Sequence, residues 1–312
     1  MKFYKPKFWD KRGHISFFSI LLLPLSLIPI IKNYYENSKI KKNFYDLKTI
    51  CVGNIYIGGT GKTPLVSNLA SHFRKKFRTF IIKKNYATHL DEKRFLEAKH
   101  KVIFEKTREL SITKAENERA EMLIFDDGLQ EKRINYDLKI VCFNSVKLDG
   151  NGLMIPAGPL RERLDSLKKY DVALINGDLN KESKIFINKI KKINPSIEIF
   201  TGKYVPKNYS KLKKKKFIIF SGIGNPHTFS DTLKSLKIKF NEYVKFPDHY
   251  DYKESDLQQL KDLAKSKNCE LLTTEKDYLR IRKSFRKRIN FLQVELSVNQ
   301  EKKFYKYLNE KL

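Results

Sequence analysis

The sequence predicts an α/β fold in which a doubly wound, mostly parallel sheet is followed by a second, smaller α/β domain. Three observations predict it. Short apolar runs alternate with polar, helix-compatible stretches along most of the 312 residues, as strand–helix–strand units require. A glycine-rich turn, Gly58 to Gly61, separates the first such run from the helix after it. A later run, Met122 to Phe125, stops at two consecutive carboxylates, Asp126 and Asp127. This length suits one large or two modest domains. The expected division is an amino-terminal basic and apolar segment over 1–33, a core over 34–205 and the smaller α/β domain over 206–312.

The amino-terminal segment has the layout of an anchor. Lys2, Lys5, Lys7, Lys11 and Arg12 precede an uncharged stretch, Ile15 to Ile31, and Lys32, Asn33, Tyr34 and Tyr35 follow it. Seventeen uncharged residues sit at the lower limit for spanning a bilayer, and Pro24 and Pro29 would each remove a helical hydrogen bond. No small-residue cleavage site follows. The segment is therefore expected to lie half-inserted as a membrane-associated helix, with the tyrosines at the interface, ahead of a spanning helix or a buried core helix.

The next elements follow from apolar runs. Strands are expected at Lys48 to Gly53, Thr79 to Ile82, Lys101 to Phe104, Met122 to Phe125, Lys139 to Phe143 and Val172 to Ile175. A helix is expected over Pro64 to Lys75, with Pro64 starting it. Gly58, Gly59, Thr60, Gly61, Lys62 and Thr63 close like a P-loop: glycines let backbone N–H groups approach phosphate, Lys62 reaches the outer phosphates and the Thr63 hydroxyl can ligate Mg²⁺. Strict P-loop spacing would put a first glycine where Tyr56 stands. Asp126 and Asp127 end their strand as a Walker B carboxylate does, at the sheet edge where Mg²⁺ would sit beside those phosphates. The whole is P-loop NTPase-like.

In the second half, Lys213 to Lys216 read as a solvated junction, Phe217 to Phe220 as a strand and Ser255 as the N-cap of a helix through about Lys267. Gly222 and Gly224 fit a plain strand-to-helix turn. Thr274 to Asp277, after a strand at Glu270 to Thr273, reads either as a capping turn or as a nucleotide contact. Cys51, Cys142 and Cys269 lack any paired spacing and read as buried thiols in a reducing compartment.

Further motifs carry a resemblance. Leu153-Met154-Ile155-Pro156-Ala157-Gly158-Pro159-Leu160-Arg161-Glu162, the variant P-loop, Asp126-Asp127-Gly128-Leu129-Gln130, Pro247-Asp248-His249 and Thr273-Thr274-Glu275-Lys276-Asp277 occur in order. Together they resemble the tetraacyldisaccharide 4'-kinase family of lipid A synthesis. The resemblance implies transfer of the ATP γ-phosphate to a hydroxyl of an acylated disaccharide lipid, at the cytoplasmic face of the inner membrane. It implies that Lys62 and the glycine loop bind phosphate, that Thr63, Asp126, Asp127 and Glu162 organise Mg²⁺, and that Arg161 neutralises phosphate charge. It also implies a catalytic dyad, Asp91 with His249, beside Lys62 and Asp127: an imidazole can orient the carboxylate and share the proton it takes. Two runs depart from the family pattern. S-R-G-Y-G-G appears as Lys83-Lys84-Asn85-Tyr86-Ala87-Thr88, and G-D-E-P as Leu90-Asp91-Glu92-Lys93.

Charge supports a rival reading. Lys and Arg number 64 against 35 Asp and Glu, giving +29, a field that attracts nucleic acid, phosphates or anionic lipid. A basic P-loop NTPase acting on nucleic acid would fit it, yet Lys, Ile, Asn, Tyr and Phe are enriched together, as compositional drift also produces. No RNP-like run or zinc-finger spacing accompanies the charge. The expected partners are therefore the lipid substrate and a membrane surface, without nucleic acid. A membrane-tethered nucleotide switch is a third reading, and the Pro156 to Glu162 loop argues against it as well.

Overall fold

The computed structural model describes residues 6–39, 43–84, 90–223, 226–247 and 250–312. After a short turn at Lys7–Asp10 the chain forms α1 (Phe17–Lys39), β1 (Lys48–Gly53), α2 (Lys62–Phe73), β2 (Thr79–Lys84), α3 (Leu90–Glu97), β3 (Val102–Glu105) and α4 (Arg108–Asn117). It continues through β4 (Met122–Asp126), β5 (Leu138–Asn144), β6 (Val172–Asn176), α5 (Lys181–Ile193) and β7 (Glu198–Pro206). Then come α6 (Tyr209–Leu212), β8 (Lys216–Ser221), α7 (Pro226–Ser235), β9 (Lys239–Lys245) and α8 (Glu254–Ser266). The last elements are β10 (Glu270–Thr274), α9 (Glu275–Arg280), β11 (Ile289–Leu292), β12 (Val294–Val298) and α10 (Glu301–Lys311).

Two units result. The first comprises Met1–Asn85, His100–Tyr204 and Leu296–Leu312, the second Tyr86–Lys99 and Val205–Glu295. The sequence division ran the smaller domain to the end of the chain, whereas β12 and α10 rejoin the first unit. Buried apolar surface explains the return: Phe304 packs edge-on against Phe200 at 5.0 Å between centroids, and the Asn299 N–H donates to the Thr201 carbonyl at 2.7 Å.

The first unit is built on an eight-stranded sheet in the order β12-β7-β6-β5-β1-β4-β2-β3. β1 pairs in parallel with β4 on one side and β5 on the other. Connections therefore leave β1 in opposite directions, and such a switch point opens a crevice at the carboxyl ends of the strands. Apolar side chains are buried on both faces. Cys51, Phe80, Leu123 and Phe125 pack with Ile112 and Ala115 of α4, and the alternate set Ile50, Val52, Ile124 and Ile140 is equally inaccessible, as a doubly wound sheet demands.

α1 runs through both Pro24 and Pro29 as one helix. Among the described residues, no helix is long and apolar enough to cross a membrane. Its polarity is inverted relative to a water-facing helix. Ser19 and Ser26, seven residues apart on one face, are buried, while Phe17, Phe18, Leu21, Leu25 and Ile28 are exposed. The Ser26 hydroxyl donates to the Met154 carbonyl at 3.0 Å and accepts from the Ala157 N–H at 3.3 Å. Asn151 donates to the Ser19 hydroxyl at 3.2 Å, and Trp9 donates its indole N–H to the Pro156 carbonyl at 3.1 Å.

In the second unit β11-β10-β8-β9 form a four-stranded parallel sheet. Ile218 and Phe220 pack with Leu257 and Leu260 of α8; Phe217 and Ile219, on the opposite face, pack with Phe229 and Leu233 of α7. α3 is held here by Arg94, which donates to the Leu279 and Arg280 carbonyls at 3.2 and 3.1 Å.

Several local expectations are corrected. α2 starts at Lys62, not Pro64. The third helical residue has no intrahelical partner for its N–H, so proline costs nothing there. α8 starts one residue before Ser255, and its entry is fixed by Asp256, whose carboxylate accepts the Lys253 N–H at 2.9 Å. Cys51 and Cys142 are buried as expected, but Cys269 is only partly so, since it follows the last turn of α8 at the surface. Thr274 to Asp277 is a capping turn: Thr274 accepts the Asp277 N–H at 3.1 Å and donates its hydroxyl proton to the Asp277 carboxylate at 2.7 Å.

Candidate functional site

The carboxyl ends of β1, β4 and β2 meet in the first unit. Register sets Val52 level with Asp126 and Lys83 level with Asp126. Whatever leaves the end of β1 is thus delivered beside the carboxylates that end β4.

The loop after β1 is organised by Asn54. Its amide donates to the Tyr56 carbonyl at 2.6 Å and the Gly58 carbonyl at 3.1 Å, and its oxygen accepts the Lys62 ammonium at 3.0 Å. Tyr56, at the position of the missing glycine, turns its ring into the core and donates its hydroxyl to Asp10. Gly61 is required on two counts: its φ is +92°, and a Cβ there would lie 2.5 Å from the Asn176 amide nitrogen. Gly59 faces open space. From Gly61 the chain enters α2, so the helix N-terminus, with its unpaired N–H groups, faces the loop.

Lys62 lies 3.6 Å from Asp127, and Thr63 donates to Asp126 at 3.1 Å. Arg161 grips Asp127 with both terminal nitrogens, at 2.7 and 3.1 Å, and donates to the Asn54 carbonyl at 2.8 Å. The Pro156 to Glu162 loop reaches this place because it pairs with the glycine loop. The Arg161 N–H donates to the Ile55 carbonyl at 2.7 Å and the Ile57 N–H to the Pro159 carbonyl at 2.9 Å. Burial pushes the Asp127 carboxyl up, but Lys62 and Arg161 outweigh it and bring its pKa from 3.8 to about 2. Asp127 is therefore an anion held between two cations, on a residue whose φ of 62° aims it across the crevice.

Glu162 is placed differently. It accepts Gln130 at 2.7 Å and Tyr170 at 3.1 Å, and among the described residues no three His, Cys, Asp or Glu side chains gather where a metal could sit. Mg²⁺ does not need such a cage, since it is held by one or two protein oxygens together with phosphate oxygens. Asp126 fits that use: one oxygen takes Thr63 and Lys83, while Oδ1 is buried with no partner. The Thr60 hydroxyl and the side-chain amide oxygen of Asn176 are likewise buried without partners around the loop. Buried polar atoms are normally satisfied, so three orphans at one loop mark a place built for a polar ligand.

Asp91 lies in α3 of the second unit; its side chain and all of His249 are outside the described residues. Asn54, Lys83, Gln130 and Asn176 join the site without having been assigned a role from sequence. Asn54 and Asn176 each stand at the carboxyl end of a strand, the signal by which they could have been found.

The family model described as tetraacyldisaccharide-1-P 4'-kinase matches residues 18–102 and 91–312. A tetraacyldisaccharide 4'-kinase of Pelagibacter ubique is 44% identical, over 97% of this chain and 96% of its own. One from Rickettsia akari is 36% identical, over 100% of this chain and 97% of its own. The crystal structure of LpxK from Aquifex aeolicus in complex with ATP superposes with a TM-score of 0.70 at 23% identity, covering 94% of this chain and 99% of that one. Over essentially its whole length, this chain belongs to the tetraacyldisaccharide-1-P 4'-kinase family.

Proposed function

We propose that this chain transfers the γ-phosphoryl group of ATP to the 4'-hydroxyl of a tetraacylated glucosamine disaccharide 1-phosphate at the cytoplasmic face of the inner membrane. The observation that carries the reading is the gathering of Lys62, Thr63, Asp126, Asp127 and Arg161 at one crevice around a glycine loop. The loop and the α2 N-terminus cradle phosphate, Lys62 draws charge from the outer phosphates, and Arg161 sits ready to exchange Asp127 for a phosphate oxygen. Thr63 and Asp126 would hold Mg²⁺, with Asp127, next to Asp126, and Glu162, next to Arg161, to orient its water shell. Bound there with the nucleotide, Mg²⁺ would neutralise charge on the phosphates. The acceptor oxygen forms its bond to the γ-phosphorus as the bond to the bridging oxygen breaks and ADP leaves. Asp91, oriented by His249, takes the hydroxyl proton.

Purified protein given radiolabelled ATP and acylated disaccharide 1-phosphate should move label into the lipid phase, and DNA should accept none. Failure to label lipid would sink the reading. Asp91→Ala and His249→Ala together should lower turnover little more than the worse single change, because residues acting as one unit are non-additive. Multiplicative losses would reject the dyad.

Membrane contact is supported by the outward apolar face of α1 beside the exposed Lys7 and Lys11. Leu21→Asp with Ile28→Asp should reduce co-flotation with anionic vesicles by about tenfold or more, since each charge opposes insertion by roughly 2 kcal/mol. Salt alone should release little of the wild-type protein. Unchanged flotation of the double variant would remove α1 from the interface.

A further inference from the structure

Lys83 occupies an unexpected place for a site that receives a divalent cation. β2 lies beside β4 with Lys83 level with Asp126, so the two side chains leave the sheet on the same face. Lys83 Nζ is 2.5 Å from Asp126 Oδ2, with side-chain exposures of 7% and 0%. Thr63 donates to that same oxygen at 3.1 Å, which leaves Oδ1 buried and without a partner. A charge so little exposed is weakly screened by water, and its field acts on whatever arrives at Oδ1.

We propose that Lys83 is a resident cation of the phosphate site. It is a positioning residue that holds Asp126 through Oδ2 with Oδ1 free, and it supplies from the protein part of the positive charge that a divalent cation would otherwise bring. The inference rests on the nucleotide-site reading above. Two consequences have opposite signs. An ammonium fixed on Oδ2 repels a dication arriving at Oδ1 and weakens metal binding; the same ammonium attracts polyphosphate and strengthens nucleotide binding in the absence of metal. A lysine that merely neutralised Asp126 to keep the fold intact would not separate the two.

The test uses the full chain in two titrations, MnCl₂ alone and ATP in excess chelator, each followed by calorimetry. Lys83→Met should bind Mn²⁺ about tenfold more tightly and metal-free ATP about tenfold more weakly than wild type. Lys83→Arg should restore ATP binding. Should circular dichroism show the methionine variant unfolded, Lys83→Gln, which keeps a donor on Oδ2, carries the same two expectations. Both affinities moving in one direction, or neither moving, overturns the role of Lys83 while the nucleotide site stands. Wild-type protein that binds neither ATP nor Mn²⁺ overturns the nucleotide site and this inference with it.

Discussion

Two buried acids, one in each unit, follow parallel strands and differ in how their oxygens are used. Asp277, after β10, is closed. Its Oδ1 accepts the Gly222 N–H at 3.2 Å and Arg280 at 2.9 Å, and its Oδ2 accepts the Thr274 hydroxyl at 2.7 Å. Asp126, at the end of β4, is unfinished, with both donors on one oxygen and none on the other. Titration separates Asp277 from Asp127, the residue after Asp126. Burial pushes Asp277 up, and Thr274 and Arg280 do not fully oppose it; burial also pushes Asp127 up, but Lys62 and Arg161 reverse it. A structural acid is saturated by the fold, whereas the first unit keeps surplus cation and open oxygens for something that comes from outside.

The largest effect expected from this contrast is at Lys62. Lys62→Ala should lower kcat by about a thousandfold and change stability by about 1 kcal/mol or less, because Arg161 still pairs Asp127. Initial rates and urea midpoints measure the two, and wild-type turnover in a folded variant would break the assignment. Asp277→Ala should do the reverse. It takes the carboxylate from beside Arg280, whose side chain is 9% exposed and still donates to the Gly222 carbonyl, and should cost about 3 kcal/mol in urea unfolding with the KM for ATP within about twofold of wild type. A loss under about 1 kcal/mol would show the lock to be idle.

The smallest effect sharpens the electrostatics. A carboxyl with a folded pKa below its unfolded 3.8 favours the folded state above that value, and the advantage fades as pH falls toward about 2. Asp127 should thus contribute roughly 2 kcal/mol that disappears across this window. Arg161→Met removes one of the cations that lower Asp127, so its urea midpoint should fall less between about pH 5 and 2 than that of wild type. Equal acid losses in the two proteins would separate Arg161 from the Asp127 equilibrium.

Apolar runs made β1 legible to the residue, because a strand buried on both faces tolerates almost nothing polar. The convergence of the glycine loop and Asp126 was legible because a glycine turn after one strand and a carboxylate ending another meet at the same sheet edge. Lys83 was not: the expected strand ended at Ile82, and a lysine opposite Asp126 acquires meaning only from the order of strands in the sheet. The return of β12 and α10 escaped for the same reason, since pairing across about a hundred residues leaves no local signature. α1 was legible as apolar, but the burial of its serines depends on carbonyls near Met154 that no periodicity reveals.

The loop from Met154 to Glu162 touches α1 at one end and the phosphate site at the other. Ala157 meets Ser26 and Arg161 meets Asp127, and four residues of chain separate these contacts, at most about 14 Å of contour. The loop therefore acts as a ruler. On the membrane reading proposed above, lipid resting against α1 would lie at a set depth from the glycine loop. An acceptor held in that lipid would need only to turn toward the crevice, and reach would be a property of a short peptide instead of a property of the substrate.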